Sequence, residues 1–483
     1  LDDYADALAE TLSALNLTRV DLYGTHTGAG IALYTAARHP DRVRRLALDG
    51  LPVYDEQERD YFLANYTPSL EPRWDGSHLV TLWAMRRDMF VFSPWFEQTR
   101  DARRQGDLPS PDRLHDLAVD FLRAGPGYWK GYQAVFRSDP KAALSELKQP
   151  ALIVARPTDS LVRHLPRLDK LPSTVRLETN VEDTDATIAA FLAEGKTLGH
   201  APAPVPVTFS ATQVRRDYVN ASHGQMLARR VGQQKGRPLV LLHASPGSSR
   251  GMEALMLQFA AERPVITFDN PGNGDSAPLP GSPDLAALAA ALDETIRELG
   301  IRDYDLYGTH TGALIAMELA LANPQAVKHL ILDGITLFSP EFTQELLTTY
   351  VEPLEVHVDG RHLIWAWNFL RDVGLWWPHY NRTAAGAEGR GGAANAERLN
   401  ASVLEFLKGG RTFHHNYQAA FAYPTAERLP LIKTPLLICA SSTDPLAGGL
   451  DEARRILPQA RVEVTEGGRS ERTLDLYRSF MAD

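Results

Sequence analysis

Two histidines, His26 and His310, each sit at the centre of a Gly-Thr-His-Thr-Gly pentapeptide, Gly24 to Gly28 and Gly308 to Gly312. The nine residues from Asp21 to Ala29 recur letter for letter from Asp305 to Ala313. Each block reads as a buried strand that breaks at a glycine and opens a helix. That is the form of a nucleophile elbow with His in the serine position. A serine there is a weak nucleophile until a separate base takes its proton. An imidazole is itself a base near neutral pH, so the pattern excludes ordinary serine hydrolysis and favours proton transfer.

The repeat extends well beyond the elbow. Asp49-Gly50 matches Asp333-Gly334, Trp83 and Arg87 match Trp367 and Arg371, and Thr158-Asp159 matches Thr443-Asp444. His78 pairs with His362 and Tyr132 with Tyr417. A period this long means duplicated domains, since solenoid units run only about 20 to 50 residues. A chain of 483 residues also suits two cores. We expect a first domain over 1–198, a Pro/Ala-rich linker over 199–207 and a second domain over 208–483.

The second copy has an N-terminal region that the first does not. Asp217 to Val231 alternates like paired strands, and Pro238 to Leu242 and Pro264 to Phe268 read as short buried strands. The first copy starts at a helical stretch, Leu1 to Leu15, so it lacks its early strands and leaves its elbow strand at a sheet edge. The simplest expectation is a fragment of a longer tandem protein. Strands alternating with helices indicate α/β domains with a mostly parallel sheet.

Composition narrows the partners. Hydrophobic residues at 44% and charged residues at 23% suit a globular protein, and the net charge of -10 is spread without a basic stripe, which argues against nucleic acid. No apolar run approaches the roughly 20 residues that span a bilayer. The single cysteine, Cys439, lies in an apolar strand-like run and reads as a core residue. His379 and the pair His414-His415 lack the spacing of a zinc site, and no phosphate loop or dinucleotide fingerprint occurs. We expect no metal and no cofactor, a small-molecule substrate, a cytoplasmic location, and packing between the two copies or a homo-oligomer.

In order along the second copy stand His243-Ala-Ser-Pro-Gly247, Asp269-Asn-Pro-Gly-Asn-Gly-Asp-Ser276, Gly308 to Gly312, Asp333-Gly334 and Ser442-Thr-Asp444. In this sequence the copy resembles the α/β-hydrolase superfamily over almost its whole length. The resemblance implies that the first segment is an oxyanion loop, with backbone N–H donors at Ser245 and Thr311. It implies that Asp444 is the acid and that 337–425 is a helical cap. It also exposes a departure: no histidine follows the last strand, and Arg469 occupies that slot.

An imidazole is longer than a hydroxymethyl group and reaches toward the acid turn. His310 and Asp444, and their first-copy equivalents His26 and Asp159, are expected to form dyads in which the carboxylate fixes the tautomer and the other ring nitrogen is free to act as base. Arg469 is a candidate clamp for a substrate carboxylate or carbonyl. His362, Trp367, Arg371 and Tyr417 are the cap residues expected to face the substrate. The expected function is cofactor-free chemistry on a small carbonyl, ester or lactone compound with His310 as general base. The alternative is a catalytically inactive pseudo-hydrolase acting as a binding or scaffold protein.

Overall fold

A computed structural model of the protein describes residues 1–179, 181–195, 202–203 and 210–482. The chain forms two compact units, Leu1–Glu71 with Ser77–Pro206, and Val207–Asp483 with the short segment Pro72–Gly76. The expected linker, 199–207, lies outside the described residues except for 202 and 203. No helix among the described residues is long and apolar enough to cross a membrane.

The first unit holds four parallel strands, β1 (Val20–Thr25), β2 (Val43–Asp49), β3 (Ala151–Val154) and β4 (Val175–Leu177), side by side in chain order. Rows of Ala and Leu make β2 and β3 almost wholly buried. Helix Thr27–Arg38 follows β1 and turns Ala29, Leu33 and Ala36 onto Leu46, Leu48 and Ile153. β1 is an edge strand of this sheet, as expected. Between β2 and β3 run helices Glu56–Asn65, Ser77–Val91, Pro111–Ala124 and Trp129–Phe136.

The second unit is built on eight strands: β5 (Arg215–Ala221), β6 (Gly224–Val231), β7 (Leu239–Leu242), β8 (Val265–Phe268), β9 (Tyr304–Thr309), β10 (Val327–Asp333), β11 (Leu436–Ser441) and β12 (Arg461–Thr465). Their order is β12-β11-β10-β9-β7-β8-β6-β5, parallel except where β6 pairs with β5 and β8. β7 and β8 are buried on both faces, which is why they read as continuous apolar runs rather than alternating ones. Cys439 lies in β11 as a buried free thiol among core residues. Helix Thr311–Ala322 is buried from Thr311 to Ala320, so its apolar residues run all round it.

The segment expected to form the cap stands between β10 and β11. Its helices are Pro340–Thr349, Arg361–Leu375, Ala396–Gly409 and Phe413–Phe421. The strand order reverses around β7 and β9, and ligand sites of open parallel sheets form at that point, beyond the strands' C-terminal ends.

Candidate active site

His310 follows the last residue of β9, where the backbone turns abruptly. Its φ is +52° and ψ is -118°, and His26 takes +50° and -114°. Non-glycine residues hold such angles only where surrounding structure imposes them. The turn is clamped by His310 N–H donating to the Asp333 carbonyl at 2.9 Å, with the same bond from His26 to Asp49. Both pentapeptide glycines are needed in the second unit. A Cβ on Gly308 would meet the Gly312 carbonyl oxygen at 2.3 Å, and one on Gly312 would meet the Leu242 and His243 oxygens at 2.4 and 2.5 Å.

The elbow and the acid turn bring His310 and Asp444 together, Nε2 to Oδ2 at 3.1 Å. The other carboxylate oxygen of Asp444 accepts the Leu446 N–H at 2.8 Å, which aims the first at the imidazole. The first unit repeats the device, with His26 Nε2 to Asp159 Oδ2 at 2.6 Å and Leu161 N–H to Asp159 at 2.7 Å. Gly334, at φ +74°, passes beside the ring: an added Cβ there would lie in ordinary contact, 3.4 Å from the imidazole. Asp333, the neighbouring acid, instead accepts the Tyr307 hydroxyl at 2.6 Å.

Burial is the largest single influence on His310 and lowers its pKa. The hydrogen bond and charge of Asp444, with the charge of Asp333, outweigh it, so the net shift is above the ordinary 6.5. Asp444 moves the other way: burial raises it most, but the hydrogen bond and charge of His310 and the Leu446 N–H carry the net below 3.8. The pair therefore favours imidazolium and carboxylate.

One expectation needs correction. The second ring nitrogen of His310 is not free, because Nδ1 lies 2.8 Å from the Thr309 hydroxyl. In the neutral ring with Nε2–H directed at Asp444, Nδ1 accepts a hydrogen bond from that hydroxyl, and in the imidazolium it donates to it.

The dyad sits at the base of a cavity of about 440 Å3 whose lining includes Ser245, Thr311, Tyr350, Trp377, Arg390 and Tyr417. Thr311 opens its helix, where the first N–H groups have no intrahelical acceptor. Ser245 is held by its hydroxyl on Asn273 Oδ1 at 3.2 Å, and Asn416 grips the same oxygen at 2.6 Å. His243 is structural: its Nε2 accepts the Asn270 N–H at 2.8 Å, its Nδ1 faces the Ala244 carbonyl at 2.9 Å, and burial lowers its pKa.

Of the expected cap contacts, only Tyr417 lines this cavity. His362 and Trp367 are buried away from this cavity, where His362 Nδ1 accepts the His357 N–H at 3.3 Å and Trp367 Nε1 donates to the Trp74 carbonyl at 3.3 Å. Arg371, on the same helix, is also absent from the cavity wall. Helical spacing marks the buried stripe of Arg361–Leu375, and that stripe does not line the pocket. Arg469 is not in the cavity either. It lines a separate recess with Tyr307, Thr309, Asp333 and Arg398, because the turn after β12 leads to the other side of Thr309.

The cation of the pocket is Arg390, which sequence reasoning missed. It comes from the Gly/Ala-rich loop 384–394, where its Nη2 donates to the Val373 carbonyl at 2.6 Å. In the first unit Arg104 does the same to the carbonyl of Met89, 284 positions before Val373, at 3.0 Å. Tyr350 was also missed, although the repeat signals it: it and Tyr66, 284 residues earlier, line the two cavities.

The sheet order and the strand–turn–helix elbow at its switch point define a class, and the chain belongs to the α/β-hydrolase fold family, whose model matches residues 1–183 and 237–469. Among its relatives is the protein named "Putative carbamate hydrolase RutD" of Klebsiella pneumoniae (strain 342), 28% identical over 244 residues, or 48% of this chain and 85% of that one. Proline iminopeptidase of Lactobacillus delbrueckii subsp. bulgaricus is 31% identical over 142 residues, 28% of this chain and 48% of that one. Among solved structures, Epoxide Hydrolase A from Mycobacterium thermoresistibile is similar at a TM-score of 0.44 and 18% identity, covering 56% of this chain and 98% of that one.

Proposed function

We propose that the second unit hydrolyses a small ester, lactone or carbamate-like compound, with His310 as general base and Asp444 as the group that orients it. The observation that carries this reading is the His310–Asp444 pair at 3.1 Å, set at the floor of a cavity rather than in the core. The elbow exposes 39% of the imidazole. The backbone N–H groups of Ser245 and Thr311 are suited to a developing oxyanion. Arg390 replaces Arg469 as the clamp and favours a substrate with an anionic or strongly polar carbonyl end.

Thr309 enters the proton path. In neutral His310 the basic lone pair is on Nδ1 and meets the Thr309 hydroxyl. A water that gives its proton to Thr309 Oγ1, as Thr309 gives its own to Nδ1, becomes the nucleophile, and the imidazolium formed rests on Asp444. The same relay serves proton abstraction beside a carbonyl. Thr309 lines a recess that shares Ala244 and Pro246 with the main cavity, so the relay opens beside the oxyanion loop.

A second reading has its own support. Both nitrogens of His310 are engaged, which also suits a catalytically inactive pseudo-hydrolase whose pocket only binds. Turnover by the purified chain across short esters, lactones and carbamates separates the two. Under the catalytic reading, hydrolysis is present, vanishes in His310→Ala and falls about tenfold or more in Thr309→Val. Hydrolysis that survives His310→Ala sinks it.

A further inference from the structure

The first unit has a cavity of its own, about 470 Å3, reaching from His26 into its helical segment. Its walls differ from those of the second unit's pocket. Eight aromatic residues and three arginines line it, against four and one in the other. Tyr66, Trp95 and Tyr132 are among the rings, and Arg86, Arg104 and Arg163 are the cations.

Arg86 is the residue that calls for a ligand. It lies in helix Ser77–Val91 with only 9% of its surface accessible. Among the described residues no carboxylate pairs with it. Its Nη1 faces Met89 Sδ at 2.7 Å, a weak acceptor, and its Nε is buried without a hydrogen-bond partner. The guanidinium carbon stands 4.8 Å from the Phe121 ring centroid and 5.6 Å from that of Phe90. Cation–π contact offsets part of the lost hydration, but it leaves the planar fork of donors unused. Burial accordingly lowers the Arg86 pKa. Arg104 and Arg163 are not equivalent to it: the first is tied to the Met89 carbonyl at 3.0 Å, and the second lies 3.7 Å from Glu58.

A buried cation with unused donors beside an aromatic cavity is a costly arrangement for folding alone, and an anion that arrives on binding would complete it. The rings suit a flat apolar body. We infer that the first unit is a binding site for an aromatic carboxylate, with the anionic end on Arg86 and the ring system among Tyr66, Trp95 and Tyr132. The inference does not depend on the reaction proposed for the second unit.

Titration calorimetry of the full chain with naphthalene-2-carboxylate tests it, with naphthalene-2-methanol as the uncharged control. The expected result is a site that binds the acid at least about tenfold more tightly than the alcohol, since a charged bidentate contact is lost. That site disappears in Arg86→Met and persists in both Arg390→Met and His310→Ala. Arg86→Met replaces an unpaired buried charge by an apolar chain of similar length, so the unliganded protein should melt no lower than the parent. Loss of binding then does not reflect misfolding. Should that variant fail to fold, Arg86→Lys, which keeps the charge but not the planar fork, must still weaken the acid several-fold more than the alcohol. Equal binding by Arg86→Met and the parent overturns the inference. So does a site removed only by Arg390→Met, or no binding of the acid at about millimolar concentration.

Discussion

The blocks Asp21–Ala29 and Asp305–Ala313 are identical in sequence and differ in almost everything that neighbours impose. Their elbows superimpose in backbone angle, and both aim an imidazole at an aspartate. Yet Tyr23 is 49% exposed on an edge strand, and Tyr307 is 4% exposed in a central one. Asp21 meets Arg44 at 2.5 Å in a partly exposed pair. Asp305 is fully buried and answers Arg237, Arg263 and His329 at 3.0, 2.6 and 2.8 Å. Local sequence thus sets the turn and the dyad, while the adjoining strands decide whether the same side chain is surface, core or active site.

The largest expected contrast is catalytic. His310→Ala should reduce turnover by a factor of about 10³ or more, while His26→Ala leaves it within about twofold, as judged by kcat/KM on any substrate found. Equal losses would mean that the first unit also reacts.

The next contrast is in stability. Asp305→Ala leaves three groups without their buried carboxylate and should destabilise the second unit by about 3–5 kcal/mol. Asp21→Ala removes only a partly exposed pair and should stay within about 1 kcal/mol. Urea unfolding of both variants reads the difference, and similar midpoints would refute the contrast.

Glycine gives a smaller effect of opposite sign. Gly312→Ala drives a methyl group into the Leu242 and His243 carbonyls and should cost about 1–3 kcal/mol. Gly28→Ala meets none of the described residues within 4 Å and should stabilise its helix by up to about 1 kcal/mol. Thermal melting checks both signs.

The smallest effect is a shift in pH dependence. His310 works as a base only when neutral, so kcat/KM should rise with pH through a midpoint above 6.5. The stabilisation from that histidine runs the other way. A raised folded pKa gives stability that is complete below the unfolded value and is lost as pH climbs through the folded one. Asp444, lowered from 3.8, contributes stability that is complete above its unfolded pKa and is lost as pH falls through its folded value. Asp444→Asn leaves burial less opposed and should move the kinetic midpoint down. An unmoved midpoint would show that another group sets the profile.

The legible part of the molecule was the part with periodicity or fixed turn chemistry. The strand runs at Pro238 to Leu242 and Pro264 to Phe268 and the elbow itself lie where the sequence pattern placed them. The pocket wall was less legible. Arg390 sits between glycines in a loop with no period, and only the carbonyl of Val373, 17 residues earlier in the chain, fixes where it points. Arg469 filled the expected slot in the linear order, but the turn after β12 carries it to another recess. His362 and Trp367 had helical spacing, which identifies a buried face without saying what buries it.

By itself the sequence determined the α/β class, the elbow at His26 and His310, and the aspartates that would meet them, because these follow from short-range sterics and from the order of strands. Tertiary structure alone decided which of two identical blocks is enclosed, which arginine faces each cavity, and that Thr309 occupies the second nitrogen of His310. Those outcomes depend on contacts between segments far apart in the chain, and no local pattern encodes which neighbour arrives.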